Sequence, residues 1–216
     1  MTISRADVFD NKKLNREKKE YIIWCDVETT GVVAFNDELL EIGALVTDMA
    51  GNKVGEGFTQ VVQVADMKAT VDKCDDYVQN MHTKNGLFED LWYGGLPLSK
   101  IEDLFIEWLK ETVPEYDGNP DKNLVFYFGG RSITLDRNFL YANTPRIFNV
   151  FSHQSIDLTS VSIMLERNVT NIDKSVFFVE DTAHRALKDS EDCAEQYKSI
   201  IKTLNNNLSS PLKVVV

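Results

Sequence analysis

An almost continuously apolar heptapeptide, Tyr21–Val27 (YIIWCDV), sets the first limit on the fold. A strand that is covered on one face alternates apolar and polar residues. One that is apolar at nearly every position is covered on both, as a central strand between layers of helix is. Two further strand-like runs follow, Leu39–Thr47 (LLEIGALVT) and Gly57–Val64 (GFTQVVQV), with Asp48–Gly51 as the turn between them. The periodicity then becomes helical. Ser99 can cap a helix running through Lys110, with Ile101, Leu104, Phe105, Trp108 and Leu109 as its apolar stripe. Leu124–Phe128 (LVFYF) reads as another buried strand, and Gly129-Gly130 turns it into a helix capped by Ser132. Ser155–Leu158 is a short strand, and a last long helix extends from about Thr182 to Leu204. Strands first, then helices alternating with strands, indicate an α/β domain built on one mixed sheet.

The chain has 216 residues, enough for one well-packed domain and short for two. Residues 1–20 are polar and charged and read as an arm, leaving 21–216 as a single domain. No apolar run approaches the ~18 residues of a membrane span, and the opening MTISRADVFDNKK lacks the apolar stretch of a signal peptide. Cys25, Cys74 and Cys193 have no metal-like spacing and read as reduced thiols in a cytoplasmic compartment. The net charge of −11 argues against a protein that coats or tracks long nucleic acid, because such binding favours basic surfaces. It is compatible with simple solubility, and also with a site whose carboxylates hold cations that in turn hold the phosphate of a short substrate.

Three segments place acids where apolar residues belong. Asp26 and Glu28 stand two apart at the end of the first strand, so both side chains point to one face. Two like charges side by side are costly unless a cation shares them; a solvent-exposed strand end is the alternative. Asp136 shares a helical stripe with Phe139 and Leu140, although a helix N-terminus also favours an acid through its dipole. Asp189 falls within the stripe Ala186, Cys193, Tyr197, Ile200 and Leu204 that must pack on the sheet, and His184 precedes it at the helix start. Buried acids are rare unless paired or bound to metal. One cause, hard cations seeking oxygen ligands, accounts for all three segments together.

These segments also resemble a known family. Asp26-Val27-Glu28-Thr29-Thr30-Gly31 looks like the first motif of the DnaQ-like (DEDDh) 3′→5′ exonucleases. Ser132-Ile133-Thr134-Leu135-Asp136-Arg137-Asn138-Phe139-Leu140 resembles the second, and His184-Arg185-Ala186-Leu187-Lys188-Asp189 the third. The likeness spans about Tyr21 to Tyr197. Within the superfamily, the stretches Glu41–Asp48, His82–Leu87 and Asp157–Val161 are most similar to oligoribonuclease, which degrades very short RNAs. The resemblance implies an RNase H-like fold, a mixed five-stranded sheet flanked by helices. It implies two Mg²⁺ or Mn²⁺ ions held by Asp26, Glu28, Asp136 and Asp189, with His184 as general base, and release of nucleoside 5′-monophosphates. It further implies substrate contacts at Thr29, Gly31, Val32 (where leucine is usual), Tyr77 (where tryptophan is usual), His82 and Ser132. Phe35, just beyond the first motif, reads as core or loop packing ahead of the alternative that it lines the pocket.

Oligoribonucleases close over a 5′ phosphate with a His-Tyr-Arg-Tyr-like segment supplied partly by a partner subunit. Here the corresponding Ser152-His153-Gln154-Ser155 lacks the arginine and both tyrosines. The expected partner is therefore short single-stranded nucleic acid, RNA ahead of DNA, with a homodimer left open. A broader exonuclease on single-stranded DNA or longer RNA stays as an alternative. A non-catalytic nucleic-acid-binding domain is disfavoured, because all five acid and histidine positions are intact.

Overall fold

The computed structural model describes residues 18–119, 123–169, 173–177 and 183–208. Five strands form one sheet in the order β3-β2-β1-β4-β5. They are β1 (Lys19–Thr29), β2 (Leu39–Asp48), β3 (Lys53–Val61), β4 (Leu124–Gly130) and β5 (Ser155–Asp157). β1 pairs antiparallel with β2 and parallel with β4; β2–β3 is antiparallel and β4–β5 parallel. This is the mixed sheet that the sequence implies, with β1 at its centre.

The helices are α1 (Met67–Lys73), α2 (Asp76–Lys84), α3 (Leu87–Tyr93), α4 (Leu98–Thr112), α5 (Thr134–Asn143), α6 (Pro145–Phe148), α7 (Leu158–Asn168) and α8 (Ala186–Leu208), with a short 3-10 turn at Lys174–Phe177. Among the described residues, none is long and apolar enough to cross a membrane.

Alternation along β1 splits the core in two. Ile23, Cys25 and Val27 join Ile42, Phe58, Phe105, Phe128 and Phe139 beneath α4 and α5. Ile22 and Trp24 join Leu45, Leu158, Phe177, Cys193 and Ile200 beneath α7 and α8. Both faces of β1 are covered, which is why its sequence does not alternate. Trp24 satisfies its indole N–H on Thr47 Oγ1 at 2.9 Å, so a polar pair survives in the second core. α8 lies directly on β2: a Cβ at Gly43 would stand 2.1 Å from the Ala186 carbonyl carbon. Only glycine allows that approach.

Several boundaries differ from the sequence expectation. β1 begins at Lys19, inside the expected arm; residues 1–17 of that arm lie outside the described residues. β3 occupies Lys53–Val61, not Gly57–Val64, because Val62 leaves β3 to bridge Leu96. Pro97, not Ser99, precedes the first turn of α4, where its fixed φ suits a helix start. Ser132 does not cap α5. It sits at φ 49°, and its N–H donates to Asp157 Oδ1 and Thr159 Oγ1. Ile133 opens that helix. α8 begins at Ala186, and Thr182 lies outside the described residues. Helices α1 to α3 have no counterpart in the sequence reading.

Candidate active site

The site grows from a gap in strand pairing. β1 and β4 run together only as far as Trp24 opposite Gly129, and β4 ends at Gly130. Beyond that point the β4 side of β1 has no strand neighbour. Helix α5, entered through the turn at Ser132, fills the gap with Asp136, whose Oδ1 accepts the Val27 N–H at 3.2 Å. Ligand crevices open at the carboxyl ends of strands where neighbours diverge in this way.

On the other side of β1, Asp26 and Glu28 share the parity of Trp24 and face α8. One oxygen from each of Asp26, Glu28 and Asp189 lies within 4.8 Å of the others. Asp26 is half-buried, and Glu28 and Asp136 are buried. Asp189 Oδ1 is withdrawn from solvent with no hydrogen-bond partner.

Burial raises all four carboxyl groups, and repulsion within the cluster adds to it at Asp26 and Glu28. Glu28 is pushed up to about 8, chiefly by burial and then by Asp189, Glu41 and Asp136. Asp136 is pushed up to about 7 by burial, against the hydrogen bonds that its own and the Val27 N–H donate. Asp26 lies well above the usual carboxylate range for the same two reasons, with Asp136 its strongest repelling neighbour. Burial also raises Asp189, which His184 and the Ala183 backbone N–H oppose. Without added positive charge the cluster cannot ionise fully. An all-oxygen donor set with an unpartnered buried oxygen suits a hard divalent cation such as Mg²⁺ or Mn²⁺.

The remaining expected residues surround this cluster unevenly. His184 lies one turn before Asp189 at φ 49°, and its carbonyl accepts from Asn85 Nδ2. Val32 is 76% exposed and Tyr77 on α2 is 68% exposed, both available as apolar contacts. The loop carrying Val32 is stiff. Thr29 Oγ1 donates to the Gly31 carbonyl, the Val33 N–H donates to Asp37 Oδ2, and a Cβ at Gly31 would strike Asp37 at 2.5 Å. Ser132 is exposed, with its hydroxyl 3.1 Å from Thr159 Oγ1.

His82, expected to touch substrate, is buried beneath the loop after β1. It is 0% exposed, its ring edge packs on Phe88, and Nε2 lies 3.1 Å from the Thr29 carbonyl. A carbonyl only accepts, so Nε2 carries the proton; burial lowers the ring's pKa and keeps it neutral. The histidine therefore supports the loop after β1 from below, and its Nδ1, buried without a hydrogen-bond partner, lies 3.9 Å from Glu28 Oε2. Phe35 is 79% exposed on the β1–β2 loop, so of the two expectations for it core packing is overturned.

No role follows from the sequence for Glu41 or Arg185, yet they form an ion pair beside the cluster. Glu41 on β2 is 1% exposed and stands opposite Glu28. Arg185 Nη2 donates to Glu41 Oε1 at 2.8 Å and also meets Asp90 Oδ2 at 2.7 Å. The available signal was the same as for Asp26, a carboxylate inside an apolar strand run.

The comparisons agree with this geometry. The RNase_T family, described as exonuclease, matches residues 23–93. The oligoribonuclease of Cutibacterium acnes is 30% identical over 146 residues, 68% of this chain and 67% of that protein. The chain belongs to the oligoribonuclease family of DnaQ-like 3′→5′ exonucleases. The oligoribonuclease of Rhodococcus jostii is 29% identical over 86% of this chain and 88% of its own length. Among solved structures, E. coli exonuclease I in complex with single-stranded DNA shares the fold at a TM-score of 0.57 and 14% identity. That match covers 88% of the oligoribonuclease-family chain and 42% of exonuclease I. S. pombe Pop2p, in a Mg²⁺- and Mn²⁺-bound form, matches at 0.56 and 14% identity over 83% and 82% of the two chains.

Proposed function

We propose that this exonuclease removes nucleoside 5′-monophosphates from the 3′ ends of short oligoribonucleotides, with two divalent ions, Mg²⁺ or Mn²⁺, as cofactors. The convergence of Asp26, Glu28 and Asp189 oxygens within 4.8 Å, with Asp136 anchored alongside, carries this reading. Asp26, Glu28 and Asp189 would hold one ion, and Asp26 with Asp136 would support the second. Such a pair supplies positive charge to the scissile phosphate and to the attacking and leaving oxygens.

The protein's own groups do the rest. His184 takes the proton from the attacking water. Tyr77 stacks on a terminal base and Val32 presses between bases, contacts that tolerate any base and favour weak sequence selectivity. The rigid turn from Thr29 through Gly31, held from beneath by His82, fixes Val32 relative to Glu28. The three cysteines are free and buried, in keeping with a cytoplasmic location.

The absence of arginine and tyrosine from Ser152–Ser155 favours one second reading, a wider substrate range that includes single-stranded DNA and longer RNA. One assay separates the two: 5′-labelled RNA and DNA, as dinucleotides and as longer strands, with Mg²⁺ or with EDTA. Cleavage confined to short RNA supports the narrow reading, and a ladder from long strands supports the wide one. Persistence of either in EDTA refutes the metal centre. Mass measurement of the protein in solution tests the homodimer.

A further inference from the structure

We propose that Glu41 and Arg185 form a positioning clamp that fixes the backbone of His184, and with it the direction in which the imidazole points. The inference rests on the exonuclease reading above and assigns that site two residues outside the carboxylate cluster.

Glu41 has almost no exposure, and all its hydrogen bonds but the one from Thr59 run to one place. Its Oε2 accepts from Arg185 Nε at 3.1 Å and from the Ala186 backbone N–H at 3.0 Å. Its Oε1 accepts from Arg185 Nη2 at 2.8 Å and from Thr59 Oγ1 at 3.2 Å. Glu41 thus holds the two residues that directly follow His184, and one of its bonds satisfies an unpaired N–H in the first turn of α8. The other side of the segment is tied to the end of α2. Asn85 Nδ2 donates to the His184 carbonyl, and the Asn85 carbonyl accepts from Arg185 Nη1 at 3.4 Å. Asp90 on α3 takes the remaining edge of the guanidinium.

The residue so enclosed is strained. His184 has φ 49°, a conformation uncommon in residues with a Cβ and held here by its surroundings. A planar fork bonded on three sides can impose it; a lysine ammonium, a single point charge, cannot reproduce the geometry. The fork also links His184 rigidly to β2, the strand paired with the one that carries Asp26 and Glu28. A general base must sit within hydrogen-bond reach of its water, and misplacement by about 1 Å can cost about 10²-fold in rate.

The test is a double-mutant cycle between Arg185→Gln and His184→Ala, followed by release of mononucleotide from short RNA in Mn²⁺. In the wild-type background, Arg185→Gln should lower kcat by about 10- to 100-fold with KM changed less than about twofold. In the His184→Ala background it should change kcat by less than about twofold, because the group it positions is gone. Arg185→Lys should recover only part of the loss. Wild-type kcat in Arg185→Gln, or an equal loss in both backgrounds, overturns the clamp. Hydrogen exchange provides a readout independent of activity: the amides of residues 183–187 should exchange about tenfold faster in Arg185→Gln. Unchanged exchange also overturns the clamp. Faster exchange in a protein whose wild type releases no nucleotide refutes the exonuclease reading instead.

Discussion

Replacing Asp26 with Asn keeps the shape of the side chain and removes one charge from a cluster that cannot ionise fully by itself. Metal binding and folding therefore pull this residue in opposite directions. The Asp26→Asn protein should release no nucleotide in Mg²⁺. Its metal-free form should nonetheless be more stable than wild type at pH 8, by about 1–3 kcal/mol, because burial already opposes the carboxylate. Denaturant titration in EDTA beside an activity assay checks both halves; a less stable variant would show that the repulsion is already relieved. His184→Ala should cost about 10²–10⁴ in rate while leaving Mn²⁺ binding by calorimetry intact, since the cluster oxygens come from other residues. Near-wild-type turnover at neutral pH would remove His184 from the mechanism.

At the scale of elements, the contact that sets the site is α8 against β2. Gly43→Ala inserts a methyl group where backbone already lies 2.1 Å away. The helix must lift, and Asp189 with it, so the variant should lose about 1–3 kcal/mol of stability and most of its activity even at temperatures where it is folded. Thermal melting and turnover measured together test this, and unchanged turnover would mean that α8 tolerates displacement. These same elements were the legible ones. The doubly apolar β1, the LVFYF strand and the stripe on α8 carry their burial in their residue types, and Asp26, Asp136 and Asp189 stood out against that background. Helices α1 to α3 were not legible because each is short, seven to nine residues, and packs few apolar side chains. Their buried side chains are too few to mark a stripe, although Asp66 and Asp75 cap two of them. The burial of His82 and the exposure of Phe35 were also hidden, since each depends on which neighbour covers it and not on its own chemistry.

For the molecule as a whole, raised carboxyl groups make stability depend on pH in an unusual direction. The native state of the metal-free protein holds protons that the unfolded chain releases above the ordinary values of 4.5 for Glu28 and 3.8 for Asp136, up to native values of about 8 and about 7. Through that window the native state binds more protons, so stability falls as pH rises, from about pH 4 to about pH 8. A divalent cation takes the place of those protons, and its stabilisation should therefore grow with pH, reaching about 2.7 kcal/mol at a hundredfold excess over its dissociation constant. Melting curves in EDTA and in Mn²⁺ at pH 5 and pH 8 test this; a gap that narrows with pH would contradict the cluster's electrostatics. The cluster also joins distant parts of the sequence: Asp26 and Glu28 leave the ribosome early, whereas Asp189 and its supporting histidine arrive more than 150 residues later. A half-made copy of the chain can thus build much of its sheet while its acid pair waits, because the cluster closes only when synthesis has passed the start of α8.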